Sequence, residues 1–316
     1  MKKRYLNNLF LAALLLSSCH MLIQDEFPDF EDAPVVLCFL REGEPLELRL
    51  SWTAKMGDSP LRYIEDAQVR LFVDGTYAET LVHRAKGIYD AETVVASTVR
   101  YRCEIVIPGF GTVAASDSLP APVAPFDAQI IPVSLRDEEG APIPAIRFTF
   151  ANNPAERRYF EAAILEVVEE YEYVDTEWGY PRRQWTGEYI LSQVTYFPQF
   201  TDPVLKSEGL QIPVFSNEHI RGNEYTMTIN YGVSYSGDND GGGWIWTANI
   251  EPTILELRSV SYDYYRYAKQ RHLYEQGFGP VFGKPAPVFN LFSNIDKGYG
   301  IFAGYSAMRS DTLEVR

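Results

Sequence analysis

Residues 46–52 read LELRLSW, with an apolar side chain at every second position. Because successive side chains of a strand point to opposite faces, this alternation predicts a strand with one buried face. Residues 35–40, before this stretch, and residues 99–107, after it, form further short apolar or alternating runs. Residues 69–75 end in an Asp-Gly pair, which tolerates the positive φ angles of a tight hairpin turn. Seven short strands at near-regular spacing predict that residues 33–119 form an N-terminal β-sandwich of immunoglobulin or transthyretin type.

A proline-rich segment follows this predicted sandwich. Residues 119–125 read LPAPVAP, which predicts an extended linker at 120–125. Beyond it the composition changes, because residues 159–316 hold 16 of the 21 tyrosines and four of the five tryptophans. Residues 126–316 are predicted to form a second, aromatic-rich antiparallel β domain. Its one short helix is predicted at 261–276, with Ser261 as the cap, and the fold class is therefore all-β, or mainly β.

The N-terminus has the features of an export signal. Basic residues at positions 2–4 precede the apolar run 9–16, which is less than half the length of a membrane-spanning helix. Residues 16–19 read LSSC and resemble the lipobox of bacterial lipoproteins, in which the cysteine becomes the lipidated N-terminus. This predicts a lipoprotein signal peptide at 1–18 and lipidation of Cys19. The alternative is an ordinary signal peptide with an incidental cysteine.

An acidic tether is predicted between the lipidated cysteine and the first strand, at residues 19–32. Gln24, Asp25 and Glu26 resemble the surface-export signal of Bacteroidetes lipoproteins, although a solvated acidic linker is an equally good reading. These features predict a lipid-anchored protein of the outer membrane, at the cell surface.

Net charge excludes two classes of partner. The chain has 28 Lys and Arg against 43 Asp and Glu, a formal charge of −15. Affinity for nucleic acid comes largely from basic side chains that neutralise phosphates, so no nucleic-acid partner is expected. Docking on an anionic bilayer through a basic patch is disfavoured for the same reason, and the membrane is expected to be reached through the lipid anchor.

Two cysteines remain after lipidation, Cys38 and Cys103. In an exported chain they could form a disulfide, and Tyr101 lies two residues before Cys103, as in the tyrosine corner of immunoglobulin domains. The alternative is that both are small buried hydrophobic residues. Neither resembles a catalytic cysteine, because no histidine is near either one in the sequence.

Motifs for catalysis and for metal binding are missing from the sequence. The four histidines are isolated, and there is no Gly-x-Ser-x-Gly elbow, P-loop or dinucleotide-binding glycine motif. The glutamates at 166–172 could in principle supply a glycosidase pair, but such a charge run is typical of a solvated face. The glycine-rich run 236–243 lacks the spaced ligands of a Ca²⁺ loop. We therefore predict a protein that is not an enzyme and has no catalytic residues, metal or cofactor.

Aromatic residues beside predicted loops suggest a binding surface. Flat rings with a polar edge suit stacking on a ligand or packing in a protein interface. The alternative is that these side chains fill the core of the second domain. The candidate residues are Trp178, Tyr180, Trp185, Trp244 and Trp246.

Three C-terminal segments carry a resemblance to a known family. Residues 259–267 (SVSYDYYRY), 285–289 (PAPVF) and 293–305 (SNIDKGYGIFAGY) resemble the C-terminal signature of a Bacteroidetes lipoprotein family classed as domain of unknown function 4249. The resemblance extends over about 33–312, and it brings no catalytic residues. Family members are lipid-anchored and are often encoded beside TonB-dependent outer-membrane transporters. Cys38 and Cys103 are a departure, since the resemblance leads us to expect ordinary small or apolar residues at these positions.

The resemblance implies a function at the cell surface. We expect a lipid-anchored outer-membrane accessory or binding protein of unknown ligand, partnering a TonB-dependent transporter in nutrient capture. One alternative is a surface adhesion or glycan-binding module that is not tied to a transporter. A second alternative is a hydrolase.

Overall fold

The computed structural model describes residues 32–54, 60–174, 182–194, 196, 200–239, 244–277 and 291–315. Cys19, the predicted signal peptide and all of the predicted tether except Asp32 lie outside these residues. The helices are α1 (Pro203–Glu208) and α2 (Tyr262–Gly277), with a 3-10 turn at Asn217–His219. The strands are β1 (Pro34–Arg41), β2 (Pro45–Trp52), β3 (Gln68–Val73), β4 (Thr76–Thr80), β5 (Val82–Ala85), β6 (Ile88–Val94), β7 (Arg100–Ile107), β8 (Gly111–Ser118), β9 (Pro125–Arg136), β10 (Pro142–Ala151), β11 (Tyr159–Val174), β12 (Arg182–Gln193), β13 (Val214–Ser216), β14 (Glu224–Asn230), β15 (Ser234–Asn239), β16 (Trp244–Asn249), β17 (Thr253–Val260) and β18 (Tyr299–Arg309).

The predicted mainly-β fold class is confirmed. The alternation at 46–52 forms β2, where Leu46, Leu48 and Leu50 are buried and the residues between them are exposed. Burying every second side chain removes apolar surface from water on one face of the strand, at about 25 cal/mol per Å².

An immunoglobulin-like sandwich forms the first part of the chain. One layer runs β1-β2-β6-β5 and the other runs β4-β3-β7-β8. This order corresponds to immunoglobulin strands A-B-E-D against C-F-G with one added edge strand. Tyr101 of β7 is buried, and its hydroxyl accepts a hydrogen bond of 2.8 Å from the backbone N–H of Ala96. It thus forms the bond to upstream backbone that defines a tyrosine corner.

The predicted boundary at 120–125 lies between the segments that supply most of the two hydrophobic cores, but Ile295 and Phe302 beyond it belong to the first core, and it does not separate two sheets. The C-terminal strand β18 lies parallel to β1, from Val35 opposite Tyr299 to Arg41 opposite Tyr305. A nine-stranded sheet therefore continues through both halves in the order β12-β11-β17-β18-β1-β2-β6-β5, with β13 beside β11. Residues 33–316 cluster into one unit for this reason. Strand pairing between the two ends of the chain overrides the break that the prolines introduce between them.

The second core lies between this long sheet and a three-stranded sheet, β14-β10-β9. Alternate residues of β10 and β11, among them Phe148, Phe150 and Phe160, supply its aromatic centre, together with Phe215 of β13. Phe160 and Phe215 stack with ring centroids 5.4 Å apart. Many of the aromatic residues in the second half are thus core residues.

Helix α2 was predicted at 261–276 and is found at 262–277. Ser261 caps it, because its hydroxyl accepts a 3.2 Å hydrogen bond from the Tyr264 N–H and its carbonyl accepts one from the Tyr265 N–H. The helix packs through Tyr267 on Ile301 and Ala303 of the long sheet. No helix within the described residues has both the length and the apolar character needed to cross a membrane.

Candidate functional site

The β11–β12 hairpin extends beyond the body of the sheet. Residues 159–166 of β11 pair with β17 on one side, and this pairing ends at Glu166 opposite Thr253. The Val167 N–H still donates to the Pro252 carbonyl, and from Val168 to Val174 β11 pairs only with β12 among the described residues. We call residues 166–174 and 182–193 the arm. It is a two-stranded ribbon with two faces, built from the β-branched and aromatic residues that favour strands.

One face of the arm is aromatic. In an antiparallel pair, directly opposed residues project on the same side, and Tyr171 lies opposite Trp185 while Glu169 lies opposite Tyr189. Tyr173 and Leu191 lie on this side by alternation. The exposed fractions are 37% for Tyr171, 74% for Tyr173, 48% for Trp185, 61% for Tyr189 and 41% for Leu191. Water thus reaches a continuous strip of large apolar side chains that the fold itself does not bury.

Contacts within the strip hold its rings in place. The guanidinium of Arg183 lies over the Tyr171 ring, 3.8 Å from its centroid, and the rings of Trp185 and Tyr189 meet edge to face at 6.2 Å. Such cation–π and ring contacts contribute about 0.5–1.5 kcal/mol each. Because an isolated two-stranded hairpin is marginally stable in water, these contacts preorganise the face. A groove of about 560 Å³ lies along it, bounded at its base by Glu251 and Pro252.

The opposite face of the arm is acidic. Glu166, Glu170 and Glu172 alternate with the aromatic residues along β11 and so project on the other side. Thr186 of β12 donates a 3.1 Å hydrogen bond to the Glu170 carboxylate, beside a bulge at Gly187, whose φ is +91°. Burial raises the pKa of Glu166, and the charge of Glu251 raises it further. The face carries these three carboxylates and one basic residue, Arg182, opposite Val174, so its net formal charge is negative.

The open edge of the arm is β12. It is the last strand in the order of the long sheet, and all twelve of its residues are exposed. Within the described chain, β12 pairs with β11 alone. The backbone N–H and C=O groups on its outer side have no strand partner there, and such edges readily accept another strand.

The predicted binding residues have separate outcomes. Trp185 lies in the centre of the aromatic face. Trp178 and Tyr180 lie outside the described residues, as does the side chain of Trp244. Trp246 is half-buried in the separate β15–β16 ribbon, opposite Gly237, so the structure does not bring it into the arm.

Four members of the aromatic face were missed from the sequence: Tyr171, Tyr173, Tyr189 and Leu191. The spacing is visible in the sequence, because Tyr171 and Tyr173 are two residues apart, as are Tyr189 and Leu191. The register that places Tyr171 opposite Trp185 includes a bulge at Gly187, which shifts the pairing and cannot be inferred from spacing alone.

A second polar cluster lies beneath α2 and is structural. Glu161 accepts hydrogen bonds from the Tyr264 hydroxyl (2.7 Å) and from Arg258 (2.9 Å). Arg258 also bonds Glu256, which accepts a further bond from Arg309 at 2.7 Å. Burial alone would raise the pKa of Glu256, but the two arginines lower it overall. Each charge in this cluster has a partner, so the cluster joins β11, β17, β18 and α2.

A further ion pair fixes the middle of α2. Lys269 donates a 2.8 Å hydrogen bond to Glu208 of α1, which also accepts from the Tyr265 hydroxyl and from the Ser216 N–H. Burial would raise the pKa of Glu208, but the bonds from Lys269 and Tyr265 lower it overall. The ring of Tyr265 packs on Tyr159 at 4.7 Å. These tyrosines hold α2 on the sheet.

The two cysteines are free thiols in the structure. Both are buried in the core of the sandwich, Cys38 on β1 and Cys103 on β7. The immunoglobulin disulfide joins strands B and F, whereas Cys38 lies on the strand that corresponds to A. Burial raises the pKa of Cys38 well above its usual range and that of Cys103 to about 12, so both thiols are held in the protonated form.

Among the described residues, no three His, Cys, Asp or Glu side chains form a group that could hold a metal ion. The acidic residues nearest to the arm's groove, Glu169 and Glu251, line it together with the aromatic rings. The arrangement as a whole suits non-covalent contact with a flat or extended partner.

Comparison with known proteins gives one match over most of the chain. A family model described as Domain of unknown function (DUF4249) matches residues 23–311. No curated protein matches the chain. A solved structure from Corynebacterium diphtheriae, provisionally described as a membrane anchored protein, is similar at 8% identity and a TM-score of 0.21. That similarity covers 75% of this chain and 56% of the crystallised protein, so the chain spans little more than half of that protein's length.

Proposed function

The chain belongs to the DUF4249 family, and from this premise we propose that it is a non-catalytic, lipid-anchored accessory protein of the bacterial outer membrane. It binds a partner protein through the aromatic face of the arm. The partner is a TonB-dependent transporter in the same membrane, and the pair captures a nutrient at the cell surface. Cys19 carries the lipid that keeps the protein beside its partner.

The observation that supports this proposal is the exposed aromatic strip. Large apolar side chains in one continuous patch cost solubility and are typical of interaction surfaces rather than of ordinary solvent-facing strands. Aromatic residues are also enriched among the residues that dominate binding energy in protein interfaces. Tyr173, Trp185 and Tyr189 are the three most exposed aromatic residues of the arm, and we assign them the main contacts.

The membrane anchor rests on the sequence before the first strand. Lipidation of Cys19 would bury acyl chains at about 0.8 kcal/mol per CH₂ group, and several chains give stable anchoring. The acidic tether then separates the sandwich from the headgroups. Confinement to one membrane raises the effective concentration of the two partners, so a modest interface is sufficient.

The test is co-purification from detergent-solubilised membranes of the source bacterium. We compare the full-length protein with an arm variant carrying Tyr173→Ser, Trp185→Ser and Tyr189→Ser. The matched control carries Tyr77→Ser and Tyr299→Ser, which remove rings that are 53% and 58% exposed on other strands. We expect a TonB-dependent transporter to co-elute with the wild type and with the control. The amount of transporter recovered with the arm variant should be at least tenfold lower. Equal recovery with the arm variant would rule out the arm as the contact.

A glycan is the second candidate ligand, because the groove combines the Tyr171 and Tyr189 rings with the polar groups of Glu169 and Arg183. Rings that stack on sugars beside carboxylate and guanidinium groups suit a carbohydrate as well. Isothermal titration with oligosaccharides separates the two functions. Glycan binding that is lost in the arm variant, with no transporter co-eluting from the wild type, would favour this candidate.

A further inference from the structure

We propose that the partner adds a strand to the free edge of β12, and that this strand alternates basic with apolar residues. Because the arm is the partner-binding surface of the proposed function, strand addition names the way in which that surface is used. It also states the chemistry of the partner segment.

The edge geometry suits an added strand. Residues 189–193 pair with 165–169 without a break, so they form a regular stretch beyond the bulge at Gly187. This stretch reads YILSQ and carries none of the Lys or Pro residues that usually block sheet edges. Natural edges that remain open in this way bind extended peptides by main-chain hydrogen bonds, while pockets for alternate side chains give specificity.

The two faces of the arm determine which side chains the added strand needs. On one face, an added residue beside Tyr189 or Leu191 extends the exposed aromatic strip, so apolar and aromatic side chains are favoured there. On the other face, Ser192 is short and lies opposite Glu166. A Lys or Arg on the added strand can extend over Ser192 towards the carboxylate of Glu166, about two strand spacings away.

The glutamates of the acidic face form no ion pair within the described chain, although Arg182 lies on the same face. No Lys or Arg of the described chain forms an ion pair with Glu166, Glu170 or Glu172, although ion pairs occur on many other strands. A partner with positive charge at every second residue would supply the missing counter-charge. Charge complementarity of this kind improves the association rate and fixes the register of the added strand.

The probe for the test is the synthetic peptide acetyl-Lys-Val-Lys-Tyr-Lys-Val-Lys-amide, with the full mature chain as receptor. Two control peptides are used, one with all backbone nitrogens methylated and one with Glu in place of Lys. Hydrogen–deuterium exchange is followed at residues 182–193, and affinity is measured by titration up to about 1 mM, since isolated strands bind weakly. We expect the Lys peptide to slow exchange of amides in 188–193 at least tenfold. Both control peptides should bind at least tenfold more weakly.

A matched protein variant tests the charge assignment. Glu166→Gln combined with Glu172→Gln should lower the affinity for the Lys peptide about two- to fivefold, as expected for exposed ion pairs. The affinity for a peptide with Gln in place of Lys should not change. Equal weakening of both peptides would overturn the charge complementarity. Exchange measured without peptide establishes that the variant keeps the fold.

Three results would overturn strand addition: equal binding of the methylated peptide, binding that changes Trp185 fluorescence without protecting β12 amides, or no binding of the Lys peptide. The second result would instead indicate stacking of a ligand on the aromatic face. If the arm variant loses the transporter but no peptide protects β12, the proposed function stands and strand addition fails. If the arm variant keeps the transporter, the proposed function fails whatever the peptides do.

Discussion

The substitution Gly304→Ala should separate the two halves of the long sheet. Gly304 lies on β18 opposite Leu40 of β1, where the C-terminal strand joins the sandwich. Its N–H donates to Asp117 at 3.1 Å, and its carbonyl accepts from Ser261 at the start of α2. A Cβ at this position would lie 2.4 Å from the Leu40 carbonyl oxygen and 2.5 Å from the Leu40 Cβ.

The expected cost follows from how far the strands must separate. Ordinary van der Waals contact begins near 3.4 Å, so the backbone of β1 or β18 must move by about 1 Å. Ladder hydrogen bonds near 2.9 Å would then exceed the range in which they are favourable. Losing about two of them costs about 2 kcal/mol, and overpacking adds about 1–3 kcal/mol. We therefore expect the free energy of unfolding to fall by about 3–5 kcal/mol.

The assay is urea unfolding of the mature chain, followed by tryptophan fluorescence. The matched control is Gly43→Ala, because Gly43 has a φ of +85° but no atom within 4 Å of the added Cβ. That change tests backbone strain alone, which costs about 1–2 kcal/mol. A loss for Gly304→Ala that is no larger than the loss for Gly43→Ala would refute the steric reasoning.

Three other predictions test the anchor, a buried acid and an ion pair. Cys19→Ser should move the protein from the membrane to the soluble fraction, as measured by fractionation and by the acyl mass of the mature form. Burial raises the pKa of Asp117 to about 6, so the folded state favours the protonated carboxyl group. The stability gained from this proton is full below about pH 4 and is lost as the pH rises through 6. The free energy of unfolding of the wild type should fall by about 3 kcal/mol between pH 4 and pH 7, and Asp117→Asn should abolish this fall. Urea unfolding of both proteins at each pH measures the difference. Lys269→Met should cost about 2–3 kcal/mol, because it leaves Glu208, whose side chain is only 7% exposed, without its cation. Arg271→Met breaks the ion pair with Glu275 on the same helix, in which both side chains are exposed, and should cost under about 0.5 kcal/mol in the same urea titration.

Local patterns predicted the elements well. Alternation at 46–52, the Asp74-Gly75 turn and the Ser261 cap are short-range signals, and each is formed by residues that are neighbours in the chain. In the first sheets the pairs β1–β2, β3–β4, β5–β6 and β7–β8 are consecutive hairpins and also join neighbours, whereas β2–β6 and β3–β7 join strands that are not consecutive. The parallel pair of β1 and β18 is different, because its two strands are more than 250 residues apart and no local pattern links them.

The C-terminal segment 293–305 also shows the difference between local signals and contacts among distant segments. Its glycines allow close approach to β1, because a Cβ at Gly300 would lie 2.0 Å from the Val36 carbonyl oxygen. The side-chain amide of Asn294 donates to the Phe302 carbonyl and accepts from the Phe302 N–H. It also donates to the Asp263 carboxylate at 2.8 Å. The segment that carries the family resemblance thus joins β18, α2 and β1, which is a structural role that its sequence alone did not reveal.

The candidate site was only partly visible before folding. Trp185 was a candidate for the binding surface, with the core as the alternative, because aromatic residues also fill the second core and hold α2 and composition could not separate the two uses. The distinction depends on where β17 ends. Up to Glu166, β11 is paired with β17 and Phe160 is buried in the second core, whereas beyond that point the described chain has no third strand beside β11, and Tyr171, on the other face, is 37% exposed.

The sequence by itself determined the strand content, the turn positions, the helix with its cap and the negative charge, because these depend on neighbouring residues and on composition; export and lipidation remain predictions from it. Only the tertiary structure decided that one sheet connects both ends of the chain, that both cysteines are buried free thiols, and that β11 and β12 leave the core as an arm. Those outcomes depend on pairing between distant segments, where the free energy gained by burying shared faces outweighs the entropy of closing long loops.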